Sequence, residues 1–334
     1  MAEETMRRSF LLAAAGASLS AIAGATRAQP APAPSGPWPN RPVRLIVPYA
    51  AGGLPDTVAR MVSQRLPESI GQPVVVDNRP GGNGAVAAAA LAAAPPDGHT
   101  LLVTDGSMFT INPLIYRKLS YDPAKDFVPV SLIARSPLFM AVHPSVEADS
   151  LDAFVALAKS RPGRLNYGSS GVGSSHHLTV EAMKASLGVF MTHIPFRGSA
   201  ASVPALVGGH VDMVFSALPS LQGFVKTGQV KLLATNSLQR SPLAPNVAAV
   251  SEKIPGFDFA VAVVMFAPAG TPQPVVDRLA AELAKAARHP GLIDQMAGAG
   301  IDAVGAGPAE LSKAMAEESA RVRKAVAYAG IKPE

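Results

Sequence analysis

The chain has 334 residues, of which 48% are hydrophobic, and its formal net charge is +5. This size and composition suffice for a large core in one or two domains. Cysteine is absent, which excludes a lipid-anchoring cysteine, a disulfide framework and thiolate chemistry. The basic residues are scattered along the chain, which argues against a nucleic-acid-binding face.

The N-terminus has the pattern of an export signal. Arg7 and Arg8 precede an apolar run over residues 10–24, and small residues favour cleavage after Ala28. The run of about 15 apolar residues is shorter than the roughly 20 that span a membrane. We therefore predict a periplasmic protein with a cleaved signal peptide at residues 1–28.

Two details of this segment have alternatives. The sequence RRSFLL resembles the twin-arginine export motif, and an ordinary Sec signal is the alternative. Translation starts at Met1 or at Met6, since the residues before Met6 add two glutamates to a region that is normally basic. Residues 29–39 are rich in proline and predict a spacer ahead of the fold.

Strand-like and helix-like segments alternate along the rest of the chain. Strands are predicted at Val43–Val47, Val74–Val76, Leu101–Thr104, Phe139–Val142, Leu165–Tyr167, His193–Pro195, Val211–Phe215, Lys231–Thr235 and Ala260–Phe266. Helices are predicted at Asp56–Glu68, Gly84–Ala94, Ser150–Lys159, Ser175–Ser186, Ala200–Val207, Pro274–Ala287, Leu292–Ala297 and Pro308–Ala329. Such alternation is typical of an α/β protein with mainly parallel sheets, and two sets of strands suggest two lobes.

The first strand, turn and helix predict an anion site. Gly52 and Gly53 permit a sharp turn between the strand and the helix. A helix N-terminus offers free backbone N–H groups and the positive end of the helix dipole. We predict that the N–H groups of Ala51, Gly52 and Gly53 hold a carboxylate of the ligand. A plain tight turn without a ligand is the alternative.

Polar side chains around this turn are predicted to complete the site. Tyr49 would line the pocket, and Asp56 would brace the turn by accepting its backbone N–H groups. Thr104, Asp105 and Ser107 follow another predicted strand and are expected to line the same cleft.

A second loop repeats this arrangement of strand, small residues and helix. Ser170, Gly171, Gly173, Ser174 and Ser175 offer N–H and hydroxyl donors, with Ser174 or Ser175 as the helix N-cap. A flexible serine-rich loop with an ordinary cap is the alternative. Together the two loops predict a clamp, in which two helix N-termini face one anion across a cleft.

The sequence predicts neither a metal site nor a cofactor. His176 and His177 are adjacent, so on a helix they point about 100° apart and do not share a metal. A loop-bracing role is the better interpretation for this pair. Enzyme motifs such as GxSxG, Walker A and the Rossmann fingerprint are absent. Ser174 and His177 could suggest a small-ester or amide hydrolase, yet the pair has no acid to orient the histidine.

Several segments in sequence order resemble the extracytoplasmic receptors of tripartite tricarboxylate transporters, the TctC or Bug-type receptors. The likeness runs from about residue 38 to the C-terminus. The segments are Val43–Ile70, Gly71–Gly84, Pro95–Thr104, Ile111–Val130, Tyr167–Leu178, His193–Gly198 and Phe266–Pro272.

The resemblance implies a type II periplasmic-binding-protein fold with two α/β lobes and a ligand cleft between them. Its chain would cross between the lobes twice, near 136–139 and near 263–266. The first lobe would then hold residues 40–137 and 265–334, and the second lobe residues 138–264.

The resemblance also implies function and further site residues. The chain would capture a small carboxylated metabolite and deliver it to transporter subunits in the membrane. We expect a monomer, and signalling to a sensor kinase is an alternative use of the same receptor. His177 matches the family pattern, and Arg197 stands where the family has Lys or Arg. Ser216 stands where many relatives carry an Asp that receives an amino group, so we expect poor binding of amino acids.

Overall fold

The strands and helices alternate in the structure as the sequence predicts. The structure is a computed structural model, and it describes residues 37–49, 51–81, 84–196 and 198–333. The strands in this part of the chain are β1 (Val43–Val47), β2 (Val74–Asn78), β3 (Thr100–Asp105), β4 (Phe127–Ser136), β5 (Leu138–Val142), β6 (Asn166–Ser169), β7 (Thr192–Pro195), β8 (Met213–Ala217), β9 (Lys231–Thr235), β10 (Ala248–Ala249), β11 (Val261–Pro268) and β12 (Asp302–Ala306).

The helices cover both faces of the sheets that these strands form. They are α1 (Leu54–Arg65), α2 (Pro67–Ile70), α3 (Ala85–Ala92), α4 (Ser107–Thr110), α5 (Asn112–Ile115), α6 (Leu151–Ser160), α7 (Ser175–Leu187), α8 (Ser199–Val207), α9 (Leu218–Lys226), α10 (Gln273–Ala287), α11 (Pro290–Gly298) and α12 (Pro308–Tyr328).

The strands form two six-stranded sheets, one for each lobe. The first sheet has the order β12-β4-β11-β3-β1-β2, and the second has the order β10-β9-β5-β8-β6-β7. The chain passes from the first sheet to the second between Ser136 and Leu138, and strand β11 is back in the first sheet from Val261. Two α/β lobes are therefore linked by two nearby crossings.

The prediction of mainly parallel sheets is wrong. Strands β1, β2 and β3 are parallel, and so are β6, β7 and β8, but β5 and β11 run antiparallel to both of their neighbours. These two strands are the ones that enter a sheet from the other lobe. Because they start at the edge where the parallel strands end, they must run in the opposite direction.

Each sheet is packed between two layers of apolar side chains. In the first lobe, Leu45 and Val47 of β1 face a core shared with α1 and α10, while Ile46 faces the opposite core with α3 and α12. This alternation follows from the period of two along a strand. A smaller cluster joins α12 to α7, so the last helix of the first lobe also packs on the second lobe.

In the ranges that the structure describes, no helix has the length and apolar character that a bilayer crossing requires. The predicted signal peptide at residues 1–28 and most of the predicted spacer lie outside these ranges.

Candidate functional site

The turn between β1 and α1 is held by a buried carboxylate. Asp56 is 2% exposed, and its carboxylate accepts hydrogen bonds from the Gly52 N–H at 2.8 Å, from Arg60 Nε at 2.9 Å and from Asn78 Nδ2 at 2.8 Å. The prediction that Asp56 braces its own turn is confirmed. Asn78 also donates to the carbonyl of Tyr49 at 3.0 Å, so it ties strand β2 to this turn.

These partners fix the charge of Asp56. Burial alone would raise its pKa, but the hydrogen bonds from Arg60, Gly52 and Asn78 outweigh burial and hold the pKa below its ordinary value. The carboxylate is therefore ionised at neutral pH. The N–H of Gly52 already has this carboxylate as its acceptor, so it is not a free donor for the anion that the predicted clamp would hold.

The carboxyl end of β3 contributes a second group of polar side chains. The Ser107 N–H donates to Asp105 Oδ1 at 3.0 Å, and the Ser107 hydroxyl also donates to this carboxylate. Tyr49 Oη lies 3.4 Å from Ser107 Oγ. Burial raises the pKa of Asp105, and burial together with the nearby Asp105 raises the pKa of Tyr49. Thr104 is fully buried, and its hydroxyl donates to the Met108 sulfur at 3.2 Å.

In the second lobe, the loop after β6 is ordered by hydrogen bonds within itself. Ser174 is the N-cap of α7, as predicted: its Oγ accepts from the His177 N–H at 3.2 Å and donates to the Gly171 carbonyl at 2.7 Å. The Gly171 N–H donates to Ser169 Oγ, and the Gly173 N–H donates to His177 Nδ1, both at 3.1 Å. The Ser174 N–H donates to the Gly171 carbonyl at 3.2 Å, so three of the N–H groups predicted for the anion have internal acceptors.

The first turn of α7 retains donors for a ligand. Backbone N–H groups in the first turn of a helix have no acceptor inside the helix, and this applies to Ser175 and His176. The Ser175 side chain is only partly buried. Ser170 lies at the start of the loop, and its Oγ is 3.2 Å from Ser199 Oγ.

Behind this loop lies a stack of aromatic rings. His177 is 5% exposed, and its ring lies 3.9 Å from the ring of His193 at an angle of 10°. His193 in turn stacks on Tyr167 at 4.9 Å. Burial lowers the pKa of His177 to about 4, so the ring is neutral at neutral pH. The predicted loop-bracing role of His177 is confirmed by its bond to Gly173.

The two lobes meet at a small cavity, which is the candidate site. From the first lobe it is lined by Asp105, Ser107 and Glu318, and from the second lobe by Ser175 and Leu178. The crossing at residues 259–262 also lines it. Its volume is about 20 Å³, which is room for a water-sized sphere. Burial raises the pKa of Glu318 to about 7, with the charge of Asp105 adding to this effect.

The cavity brings some of the predicted residues together. Ser107 and Ser175 line it from opposite lobes, and Tyr49 is linked to it through Ser107. The turn at 51–53 lies outside its lining, and Ser216 is fully buried at the end of β8. Arg197 lies outside the described residues, so the structure leaves that prediction as it stands.

Three participants were not predicted from the sequence: Asn78, His193 and Glu318. Each meets its partner across a long stretch of chain, with separations of 22 residues for Asn78 and Asp56, 24 for His193 and Ser169, and 208 for Glu318 and Thr110. A metal centre has no support here, because the histidine, aspartate and glutamate side chains that the structure describes form no group of three or more able to hold an ion.

Comparison with known proteins decides the family. A family model described as the tripartite tricarboxylate transporter family receptor matches residues 58–331. The chain belongs to this receptor family. The matched segment contains both sides of the cavity, and the expected type II periplasmic-binding-protein fold is confirmed.

Individual relatives agree over nearly their whole lengths. BugT of Bordetella pertussis is 32% identical, and the match covers 92% of this chain and 95% of BugT. Rpa4515 of R. palustris, solved with adipate, is 34% identical with a TM-score of 0.77, covering 89% of this chain and all of that one (100%). MatC from Rhodopseudomonas palustris, solved with malate, is 31% identical with a TM-score of 0.71, covering 86% of this chain and 99% of MatC. The family is one of receptors, which argues against the hydrolase alternative.

Proposed function

We propose that this receptor captures a small carboxylated metabolite between its lobes in the periplasm and delivers it to the membrane subunits of a tripartite tricarboxylate-type transporter. The observation that carries this proposal is the cavity lined by Ser107 of the first lobe and Ser175 of the second. The relatives solved with adipate and malate support a carboxylate as the class of ligand.

The carboxylate would bind on the α7 side of the cavity. There the first-turn N–H groups of α7 and the Ser175 hydroxyl supply donors, and the helix dipole favours negative charge by roughly 0.3–1 kcal/mol. None of the lining residues is Lys or Arg. Binding would therefore rest on hydrogen bonds and a dipole, with no salt bridge from the lining residues.

The acids on the first-lobe side limit what else the ligand can carry. Asp105 and Glu318 would repel a second carboxylate placed next to them in their ionised forms, whereas a hydroxyl or a protonated acid group could donate to them. We infer that the far end of the ligand lies away from these two acids or presents a donor to them.

The cavity of about 20 Å³ is too small for a dicarboxylate. The lobes would therefore open to admit the ligand, with movement at the two crossings. We propose the limits predicted above for the lobes, at residues 137 and 264. Small-angle scattering is expected to give a smaller radius of gyration with saturating ligand than without it.

A binding screen tests the function. The mature protein, residues 29–334, is incubated with acetate, malate and adipate, and binding is followed by thermal shift and calorimetry. We expect at least one acid to bind and to be recovered unchanged by mass spectrometry. If no mono- or dicarboxylate raises the melting temperature, the proposal fails, and recovery of a chemically altered acid would favour the hydrolase.

Two serines on α7 provide a matched pair of variants for this screen. Ser175→Ala removes a hydroxyl that lines the cavity, and we expect at least about tenfold weaker binding, since a hydrogen bond to a charged group contributes roughly 1.5–3 kcal/mol net. Ser186→Ala lies on the exposed end of the same helix and should bind like the wild type. Equal loss in both variants would place the ligand elsewhere.

Localisation is a separate part of the proposal. Export would depend on Arg7 and Arg8, with cleavage after Ala28, and both features lie outside the described residues. Replacing the two arginines by lysine should lower the periplasmic yield. Unchanged export in a strain without twin-arginine machinery would favour the Sec route. We also propose that the receptor is a monomer.

A further inference from the structure

The ring of His177 holds the loop after β6, residues 170–174, through one backbone N–H group. The Gly173 N–H donates to His177 Nδ1 at 3.1 Å. A backbone N–H is always the donor, so Nδ1 must be unprotonated and the ring proton must be on Nε2. Gly173 is buried, and a Cβ at this position would lie 3.1 Å from Ile115 Cδ1 in the first lobe. The braced glycine is therefore the point where the loop approaches the opposite lobe.

His193 keeps the His177 ring in place and orders the start of the same loop. The two rings are stacked at 3.9 Å. His193 Nε2 lies 2.6 Å from Ser169 Oγ, which accepts the Gly171 N–H at 3.1 Å. Two of the loop's N–H groups are thus positioned by one stacked pair of imidazoles.

The surroundings of the pair favour the neutral rings. Lys184 Nζ donates to Glu181 Oε1 at 2.6 Å, and the Tyr167 hydroxyl donates to the same carboxylate. His177 Nε2 is 3.8 Å from Glu181 Oε1, which is too far for a hydrogen bond. Glu181 favours a charged His177, but burial, His193 and Lys184 oppose it, and the pKa falls to about 4. Burial also lowers the pKa of His193.

Solvent can reach the rings without opening of the ligand cleft. A second cavity of about 620 Å³ is lined by His177, His193 and Lys184, and by Tyr328 at the end of α12. Protons can therefore enter from the outer surface. Tyr328 is the titratable side chain that α12 contributes to this lining.

We propose that His177, supported by His193, is a positioning residue for ligand binding: as a neutral imidazole it fixes Gly173 and with it the donors of the first turn of α7. Protonation at Nδ1 replaces the acceptor by a donor, so Gly173 is released and the ligand is held less tightly in acid. This inference rests on the proposed function, because it assumes that the ligand binds at this loop.

Two substitutions distinguish the loss of the hydrogen-bond acceptor for Gly173 from the loss of the imidazole ring. In His177→Asn the side-chain oxygen can take the place of Nδ1 and cannot be protonated in the same range. In His177→Leu the acceptor is lost, and the buried Gly173 N–H is left without a partner. His210→Asn is the control, since His210 is exposed and lies outside the cluster.

Calorimetry with adipate at pH 7 is the first measurement. We expect His177→Leu to raise Kd about tenfold, His177→Asn to stay within about threefold of wild type, and His210→Asn to be unchanged. At pH 4 wild type should lose about twofold more affinity than His177→Asn, because half of its His177 rings are then charged. Wild-type affinity in His177→Leu, or the same acid response in wild type and His177→Asn, would overturn the proposal.

The imidazole tautomer gives a test that does not depend on a ligand. Nitrogen NMR of wild type at pH 7 should show His177 with an unprotonated Nδ1 and a protonated Nε2. A proton on Nδ1 would overturn the brace even if adipate binds. If neither adipate nor malate binds to wild type while the tautomer is as expected, the brace survives and the proposed ligand class fails.

Discussion

The two sides of the cleft have the same local backbone arrangement, but the side chains that hold the two loops differ in charge. On each side a parallel strand leads through a glycine turn into a helix, and a side chain from the first helical turn holds the loop. In the first lobe that side chain is the ionised Asp56, while in the second lobe it is the neutral His177.

The difference extends to the cavity between the lobes. Its first-lobe wall contains Asp105 and Glu318, and its second-lobe wall contains Ser175 and the first turn of α7. An anion is therefore favoured on one wall and disfavoured on the other. The two walls of the cavity thus differ in charge, whereas the clamp predicted from the sequence has two equivalent helix ends and stays a prediction. Four substitutions test this difference between the two lobes.

The largest effect is expected from Asp56→Ala. The change leaves the Gly52 N–H and the Asn78 amide without their buried acceptor, so the free energy of unfolding should fall by about 3 kcal/mol. The pair with Arg60 contributes little to this, since the arginine is 49% exposed. Urea denaturation measures the change. Asp77→Ala removes a partly exposed aspartate with arginine partners and should cost less than about 1 kcal/mol. An equal loss of stability in the two variants would mean that Asp56 does not hold the turn more strongly than a surface ion pair does.

Glu318→Gln is expected to stabilise the protein in alkaline solution. The folded pKa is about 7, above the ordinary value of 4.5, so the favourable protonated form is fully present below pH 4.5 and is lost as the pH rises through 7. Glutamine keeps an acceptor for Thr110 and stays neutral. At pH 8 the free energy of unfolding should rise by about 1–2 kcal/mol, and the gain should vanish at pH 4.

The control for that experiment is Glu317→Gln, an exposed neighbour on the same helix. It should leave the difference between pH 8 and pH 4 unchanged in urea denaturation. A stabilisation of the same size in both variants would show that net charge, and not the cleft carboxyl group, is responsible.

A third substitution, Gly53→Pro, should lower the affinity for the ligand more than the stability of the fold. Gly53 has φ of −72°, which is near the value that proline requires, so the change removes the N–H group without strain in φ. We expect about tenfold weaker binding of adipate by calorimetry, because its second carboxylate would lose a donor at the turn predicted to hold it. The free energy of unfolding should stay within about 0.5 kcal/mol of wild type. Unchanged affinity would show that only the second-lobe helix end serves the ligand.

The smallest effect is expected from Ser199→Ala. Ser199 Oγ lies 3.2 Å from both Ser170 Oγ and His176 Nε2, at a partly exposed edge of the second loop. The hydroxyl-to-hydroxyl link is replaceable by water, so stability should change by less than about 0.5 kcal/mol and affinity by about twofold. A tenfold loss of affinity in calorimetry would mean that the loop is held from this edge rather than by His177.

Local features of the fold could be read from the sequence because local physics determines them. Strand β1 has the predicted limits, and Ser174 caps α7 because a hydroxyl directly precedes an amphipathic helix. Strands β4, β10 and β12 were not predicted. Strand β4 contains Pro129, β10 has two residues, and β12 is a partly exposed edge strand with Gly305.

The charges of the site were harder to predict. Periodicity does not carry strand direction, so β5 and β11 were predicted as strands but their antiparallel direction was not. Burial lowers the pKa of His177 and keeps its ring neutral, with His193 adding to this effect, and burial beside Asp105 raises the pKa of Glu318. Such contacts join distant parts of the chain and leave no signal at either position.

The last helix restricts how the lobes can separate. Val322, Ala325 and Val326 of α12 pack with Leu178 of α7 and with Ile111, so a helix anchored on the first sheet is in apolar contact with the second lobe. Lifting α12 away would expose these side chains to water, whereas sliding it along α7 would exchange one apolar contact for another. We therefore expect the movement that admits a solute to combine a shear of these two packed helices with a hinge.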